Sequence, residues 1–173
     1  SPCNCLFQDM EREIKKTFGH GKPNDIISSA FGINITREDI CTLKNGCWLN
    51  SDVVHFYMNL LRERSMKQGY PAVHAFDPFF YNMLITSDYA ELEDWTTGID
   101  LFKKDIILVP LILEEHWTLV VIDMRKKTIK YFDSVAEGGR QDICKTLLKY
   151  LQEESREKRH LELDCSEWTL YSM

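Results

Sequence analysis

An α+β fold is what this sequence predicts, and three observations carry the prediction. The first half shows apolar residues at helical spacing, punctuated by cap residues and by Gly and Pro stops. After Asp105 the period changes, and three apolar runs of strand length follow one another, DIILVPLIL, HWTLVVID and TIKYFDS, separated by charged turn residues. An amphipathic helix, QDICKTLLKYLQEE, comes next. With 173 residues the chain is long enough for one domain, 1–173, with a sizeable core.

The elements follow in order. Phe7 to Phe18 mixes charged and apolar residues at helical spacing, and Gly19, Gly21 and Pro23 end it. DIISSAFGINI is rich in β-formers but broken by Gly32, and is expected to be extended. Thr36 is placed to cap a short helix, REDICTL. The strongest helix is NSDVVHFYMNLLRERSMK, residues 50–67, with Val53, Phe56, Tyr57, Leu60, Leu61 and Arg64 along one stripe and Asn50 or Ser51 as cap. His55 lies near that stripe and reads as a packed or surface histidine. AVHAF is a short strand, and the sequence names no partner for its His74. Two short helices follow, around PFFYNMLI and YAELEDW. The three apolar runs read most simply as an antiparallel meander. In the last helix Ile143, Leu147, Leu148 and Leu151 face inward, and SREKRH reads as a solvated charge run.

Composition excludes several classes. Apolar residues make up 44% and aromatics 12%, too many for a disordered chain. The net charge of −6 lacks the basic surplus of a nucleic-acid binder. No apolar run reaches the length of a membrane span, and the opening SPCNCLFQDMEREIKK has no secretory core. The six cysteines then read as reduced thiols. They form no CxxC pair and no histidine pair has ligand spacing, so neither a metal nor another cofactor is expected.

One pair of residues suggests chemistry. If HWTLVVID and TIKYFDS form a hairpin, a two-residue or a four-residue loop gives the same register, with paired numbers summing to 251. Asp133 then lies opposite Thr118, with His116 its diagonal neighbour on the same face, Cβ atoms about 7–8 Å apart. An odd loop or a bulge would undo this. A carboxylate there would orient the imidazole and stabilise its protonated form. Taken alone, a His–Asp contact on a sheet rim is more often structural.

Context comes from KNGCWLNSDVVHFYMNLLRERS, GYPAVHAFDPFFY, DIILVPLILEEHWTLVVIDMRKK and YFDS, read in this order and spacing. Together they resemble the sentrin/SUMO-specific cysteine proteases, from about Leu6 to the end of the sequence. The resemblance implies a papain-like cysteine protease fold of the SUMO-protease type. It implies cleavage after the terminal Gly-Gly of SUMO, in precursors and in conjugates to target lysines. His116 matches the general base and Asp133 the aspartate that orients it. Trp48 and Trp117 match the two tryptophans that roof a narrow tunnel, admitting glycine and excluding residues with a Cβ. SUMO and SUMO-conjugated proteins are the implied partners, and a monomer in the nucleus, with the cytoplasm as a second location, is the implied state.

The family's nucleophile lies in a Q-x-x-G-x-D-C-G segment downstream of the aspartate, and the sequence reaches Met173 without one. Cys144 sits inside an amphipathic helix. Cys165 lacks a glutamine at the right spacing and is followed by Ser166 where glycine is required. Neither is expected to substitute, so the domain reads as C-terminally incomplete and inactive alone, or as a non-catalytic SUMO binder. The family's later helices would also complete the packing around Leu119, Val121 and Phe132, so the chain is expected to be marginally stable or prone to associate. Two further departures are Ser51 in place of an acidic residue, and Leu113, Glu114 and Glu115 where relatives carry basic ones.

Overall fold

The structure, a computed structural model, describes residues 2–135 and 139–172. They form two compact units, divided after Tyr57.

The first unit opens with α1 (Pro2–Thr17). The expected extended segment is a hairpin, β1 (Ile26–Ala30) and β2 (Ile33–Thr36), paired antiparallel with Ala30 opposite Ile33. Phe31 and Gly32, at φ 58° and 75°, make the left-handed two-residue turn whose twist matches the strands. Thus Gly32, which breaks the β pattern in sequence, is the turn itself. Thr36 caps α2 (Arg37–Cys41) in a reciprocal capping box with Asp39. Asp39 also accepts a hydrogen bond from the Asn50 side-chain amide, and Asn50 Oδ1 in turn accepts from Val53 N at 2.9 Å. Asn50 is therefore the cap of α3 (Ser51–Ser65), tied back to α2. Burial works against the Asp39 carboxylate, but hydrogen bonds from Thr36 and Asn50 outweigh it and hold its pKa below the ordinary range.

The second unit, from Met58 on, carries β3 (Val73–Ala75), α4 (Phe80–Thr86), α5 (Tyr89–Leu92), β4 (Ile106–Leu113), β5 (His116–Asp123), β6 (Thr128–Phe132), α6 (Gln141–Arg159) and β7 (Thr169–Ser172). Their sheet has the order β3-β4-β5-β6-β7. Its centre, β4-β5-β6, is the antiparallel meander that the sequence predicts. Its two edges are parallel, β3 on β4 and β7 on β6, so the sheet is mixed. Parallel neighbours need a crossover, and the helices supply it: α4 and α5 between β3 and β4, α6 between β6 and β7. Within WTLYSM, which has no evident role as sequence, Thr169–Ser172 form the edge strand β7 of the described sheet.

Strand alternation sorts the sheet into two faces. Ile107, Val109 and Leu111 of β4, Val120 and Ile122 of β5, and Ile129 and Tyr131 of β6 are all buried. They join Phe80 and Tyr81 of α4 and Ile143, Cys144, Leu147, Tyr150 and Leu151 of α6 in one core. The opposite face is half-covered: Leu119 and Val121 are partly buried and Phe132 is exposed.

Two local expectations need correction. SREKRH is solvated at Arg156, Glu157, Arg159 and His160, as expected, but it continues α6 to Arg159 and its first residue, Ser155, is buried, with Oγ donating to Leu161 O at 2.8 Å. Within it Lys158 lies 3.1 Å from the buried Glu154 carboxylate and donates to Thr96 O at 2.9 Å. Charge alone does not expose a helix turn when a partner waits inside. In α3, Met58 is the buried residue, while Tyr57 and Leu60 stay exposed. Periodicity makes the helix but does not say what covers its stripe.

The β4–β5 turn is strained. Leu113 pairs with His116, leaving only Glu114 and Glu115 between them, and both take left-handed backbone, φ 49° and 66°. Asn-Gly is the favoured filling of such a turn. Glu114→Asn with Glu115→Gly is therefore expected to stabilise the chain by about 1 kcal/mol. The check is an increased denaturation midpoint at unchanged denaturant slope, and an unchanged midpoint would show that the turn holds no strain.

Candidate active site

The β5–β6 hairpin has a four-residue loop, 124–127, and its pairs run from Asp123–Thr128 to Leu119–Phe132. Each pair sums to 251, the register that the sequence predicts. His116 opens β5 on the face of Thr118 and Val120. Asp133 follows β6 on the face of Tyr131. At this rim of the sheet Asp133 Oδ1 lies 2.8 Å from His116 Nε2. The aspartate side chain is 7% exposed and the imidazole 23%, so the pair is sheltered yet accessible from the histidine side.

The carboxylate is held from other directions too. Val135 N donates to Oδ1 at 2.9 Å, and Tyr131 Oη donates to Oδ2 at 3.0 Å. Burial raises the Tyr131 phenol pKa above its usual range, and the Asp133 charge adds to the rise against an opposing bond with Thr118. Tyr131 therefore remains a protonated donor. Sequence reasoning missed its role, although the signal was present: residues 131 and 133 share a face of one strand. An aspartate with three donors has a fixed orientation, and it fixes the ring in turn. Because Asp133 engages Nε2, Nδ1 is the ring nitrogen left for proton transfer.

Trp117, next to His116, is half-buried on the opposite face of β5, paired with Ile112 across β4. Trp48 belongs to the first unit, exposed between α2 and α3. The Cys47 N–H bond to Lys44 O (3.1 Å) and the Asn50 link to Asp39 hold the segment around it.

Two of the cysteines can be judged as nucleophiles against this site. Cys165 precedes Thr169, whose partner is Thr128, the end of β6 away from Asp133. About 16 Å of strand, at about 3.3 Å per residue, separates the two ends. Burial also raises the Cys165 thiol pKa, and Asp164 raises it further. Cys144 is fully buried in the core, its thiol pKa raised by burial, with Sγ 3.6 Å from Tyr171 O. Both thiols are disfavoured as thiolates, the reactive form. Among the described residues, no group of three His, Cys, Asp or Glu side chains is placed to hold a metal ion, and no helix is long and apolar enough to cross a membrane.

A histidine oriented by a buried aspartate at a sheet rim is an arrangement that several classes of hydrolase use to activate a nucleophile. Comparison identifies which kind: residues 47–172 match the Ulp1 protease family, C-terminal catalytic domain, and the chain belongs to that family. It is 54% identical to sentrin-specific protease 2 of Mus musculus over 166 residues and to that of Homo sapiens over 168, matches that take in 96% and 97% of this chain. The chain spans 28% of the length of each. Its fold superposes on the crystal structure of the C-terminal Ulp1 protease domain in complex with Smt3, the yeast ortholog of SUMO, at TM-score 0.79 and 30% identity, covering 94% of this chain and 72% of that one.

Proposed function

We propose that this chain carries the base and orienting half of a SUMO-specific thiol protease site, with the nucleophilic cysteine supplied by a downstream segment of the family's Q-x-x-G-x-D-C-G type. The supporting observation is the 2.8 Å contact between His116 Nε2 and Asp133, which leaves Nδ1 for the nucleophile. The direction of β7 agrees, since it runs from Thr128 toward Tyr131 and so toward the His116–Asp133 end of the sheet.

In this reading Nδ1 takes the thiol proton, and the thiolate adds to the carbonyl carbon of the SUMO terminal glycine. His116, now an imidazolium facing Asp133, returns the proton to the departing lysine amine as the C–N bond breaks. A water then gives its proton to His116, its oxygen displaces the thiolate, and the SUMO carboxylate is released. The atoms balance with water alone, and no cofactor is required. Trp117, next to the base, is assigned to the lid over the Gly-Gly tail, and for Trp48 that role rests on the family resemblance alone. Glu114 and Glu115, next to the base, alter the field seen by an approaching SUMO. SUMO-conjugated proteins are the proposed substrates and the nucleus the proposed location.

The test compares the chain as it stands with the same chain continued through the cysteine segment of mouse sentrin-specific protease 2, each incubated with a SUMO precursor. No cleavage is expected from the first, and cleavage from the second. Cleavage by the shorter chain that His116→Ala abolishes would mean that one of its own cysteines is the nucleophile. The raised thiol pKa of Cys144 and of Cys165 favours a second reading for the chain alone, a non-catalytic SUMO binder. Saturable binding of SUMO without turnover would distinguish it.

A further inference from the structure

Four side chains at the rim of the sheet come as two pairs, the members of each two residues apart and so on one face of the strand. His116 and Thr118 belong to β5, while Tyr131 ends the paired part of β6 with Asp133 just beyond. Thr118 and Tyr131 are buried, at 6% and 1% exposure. Buried hydroxyls need partners, and one order of donors supplies them here.

Each hydroxyl has a single proton to give. The Tyr131 proton goes to Asp133 Oδ2 at 3.0 Å, because an ionised carboxylate is the strongest acceptor within reach. The phenol oxygen is then left to accept. Thr118 bonds to it, and that bond pulls the phenol pKa downward, as a donor to the oxygen does. The other acceptor for Thr118, Leu111 O, lies 3.4 Å away, long for a bond between two oxygens. From the far side of the carboxylate, Asp133 Oδ1 meets His116 Nε2 at 2.8 Å, which requires the ring proton on Nε2.

We infer that Thr118, Tyr131, Asp133 and His116 form one directed hydrogen-bonded quartet, in which Thr118 and Tyr131 are positioning residues for the base. Tyr131 fixes the plane of the carboxylate. Thr118 occupies the other side of the phenol oxygen and so keeps its proton aimed at Asp133. Successive donors polarise one another, so the last bond, to Nε2, is strongest when all four residues are present. The quartet's part in catalysis rests on the protease reading above, whereas its geometry does not.

Nitrogen-resolved NMR of the histidine rings tests the quartet in the protein as it stands. The neutral His116 ring should show a bare Nδ1 and a proton on Nε2 that exchanges slowly with water. Tyr131→Phe should speed that exchange about tenfold, the scale of one hydrogen bond to a charged group, and Thr118→Val about threefold. The double variant should be no faster than Tyr131→Phe, because Thr118 acts through the phenol. Thr118→Ser, which keeps the hydroxyl, should restore the parent rate. Thr128→Val is the control. It removes another buried hydroxyl, one without a hydrogen-bond partner among the described residues, from the opposite end of β6, and should leave His116 unchanged.

Amide spectra confirm that each variant keeps its fold, and if Tyr131→Phe does not, the Thr118 variants read the same proton. A ring proton on Nδ1 in the parent overturns the inference, as does an unchanged rate in Tyr131→Phe or Thr118→Val. Additive effects in the double variant also overturn it. So does faster exchange in Thr128→Val, which would mark a general loosening of the sheet. In the chain continued through the cysteine segment, Tyr131→Phe should lower kcat about tenfold with KM unchanged. If that longer chain is inactive while the NMR pattern is as expected, the protease reading fails and the quartet stands.

Discussion

His116→Ala, in a chain continued through the cysteine segment, is expected to lower kcat by roughly 10⁶-fold, against roughly 10⁴-fold for Asp133→Ala. The imidazole is the group assigned to move protons in both half-reactions, so nothing remains to activate the thiol once it is gone. Asp133 acts through the ring. Its loss frees the imidazole to rotate, removes the charge that stabilises the imidazolium, and leaves Tyr131 Oη and Val135 N without their acceptor. Asp133→Asn should be milder than Asp133→Ala, because an amide oxygen still accepts from Nε2–H. The double variant should be no slower than His116→Ala, since the two residues act as one unit. KM should change little in all of them. Single-turnover cleavage of a SUMO precursor would measure these ratios, with thiol alkylation against pH as a second readout. A His116→Ala variant within a hundredfold of the parent would remove histidine from the base role.

Acid should destabilise the second unit through His74. This residue of β3 is only 4% exposed, its ring packs edge-on against Phe76 at 4.6 Å, and Nε2 has no hydrogen-bond partner among the described residues. Burial, aided by the charges of Arg62 and Lys104, pushes its pKa down to about 4 from 6.5. The sign follows from proton counting. Between those two values the unfolded chain binds the proton and the folded chain does not, so stability falls as pH falls. The loss begins near pH 6.5, is complete near pH 4, and reaches up to about 3 kcal/mol at 1.36 kcal/mol per pKa unit. His74→Leu, which keeps the volume and removes the titration, should be flatter by that amount across the same window. Urea unfolding at pH 7, 5.5 and 4 would show it, and parallel pH profiles for parent and variant would acquit His74.

Much of the site is legible in the sequence because the relevant physics is local. Loop parity and the two-residue period of a strand are short-range properties, so the 251 register, and with it the meeting of His116 and Asp133, follows from residues 116–133 alone. Caps are equally local, and Thr36 and Asn50 both start helices as their side chains predict. What only the tertiary structure decided depends on segments distant in sequence. The parallel addition of β3 and β7 rests on helical crossovers, whose return points no local pattern encodes. The same addition places Cys165 at the wrong end of the sheet. Lys158 turns inward because Glu154 and Thr96, from separate elements, converge on it. Tyr131 holds Asp133 only because the sheet rim buries both. Periodicity sets which side of an element is apolar, and packing between distant elements sets whether that side is covered.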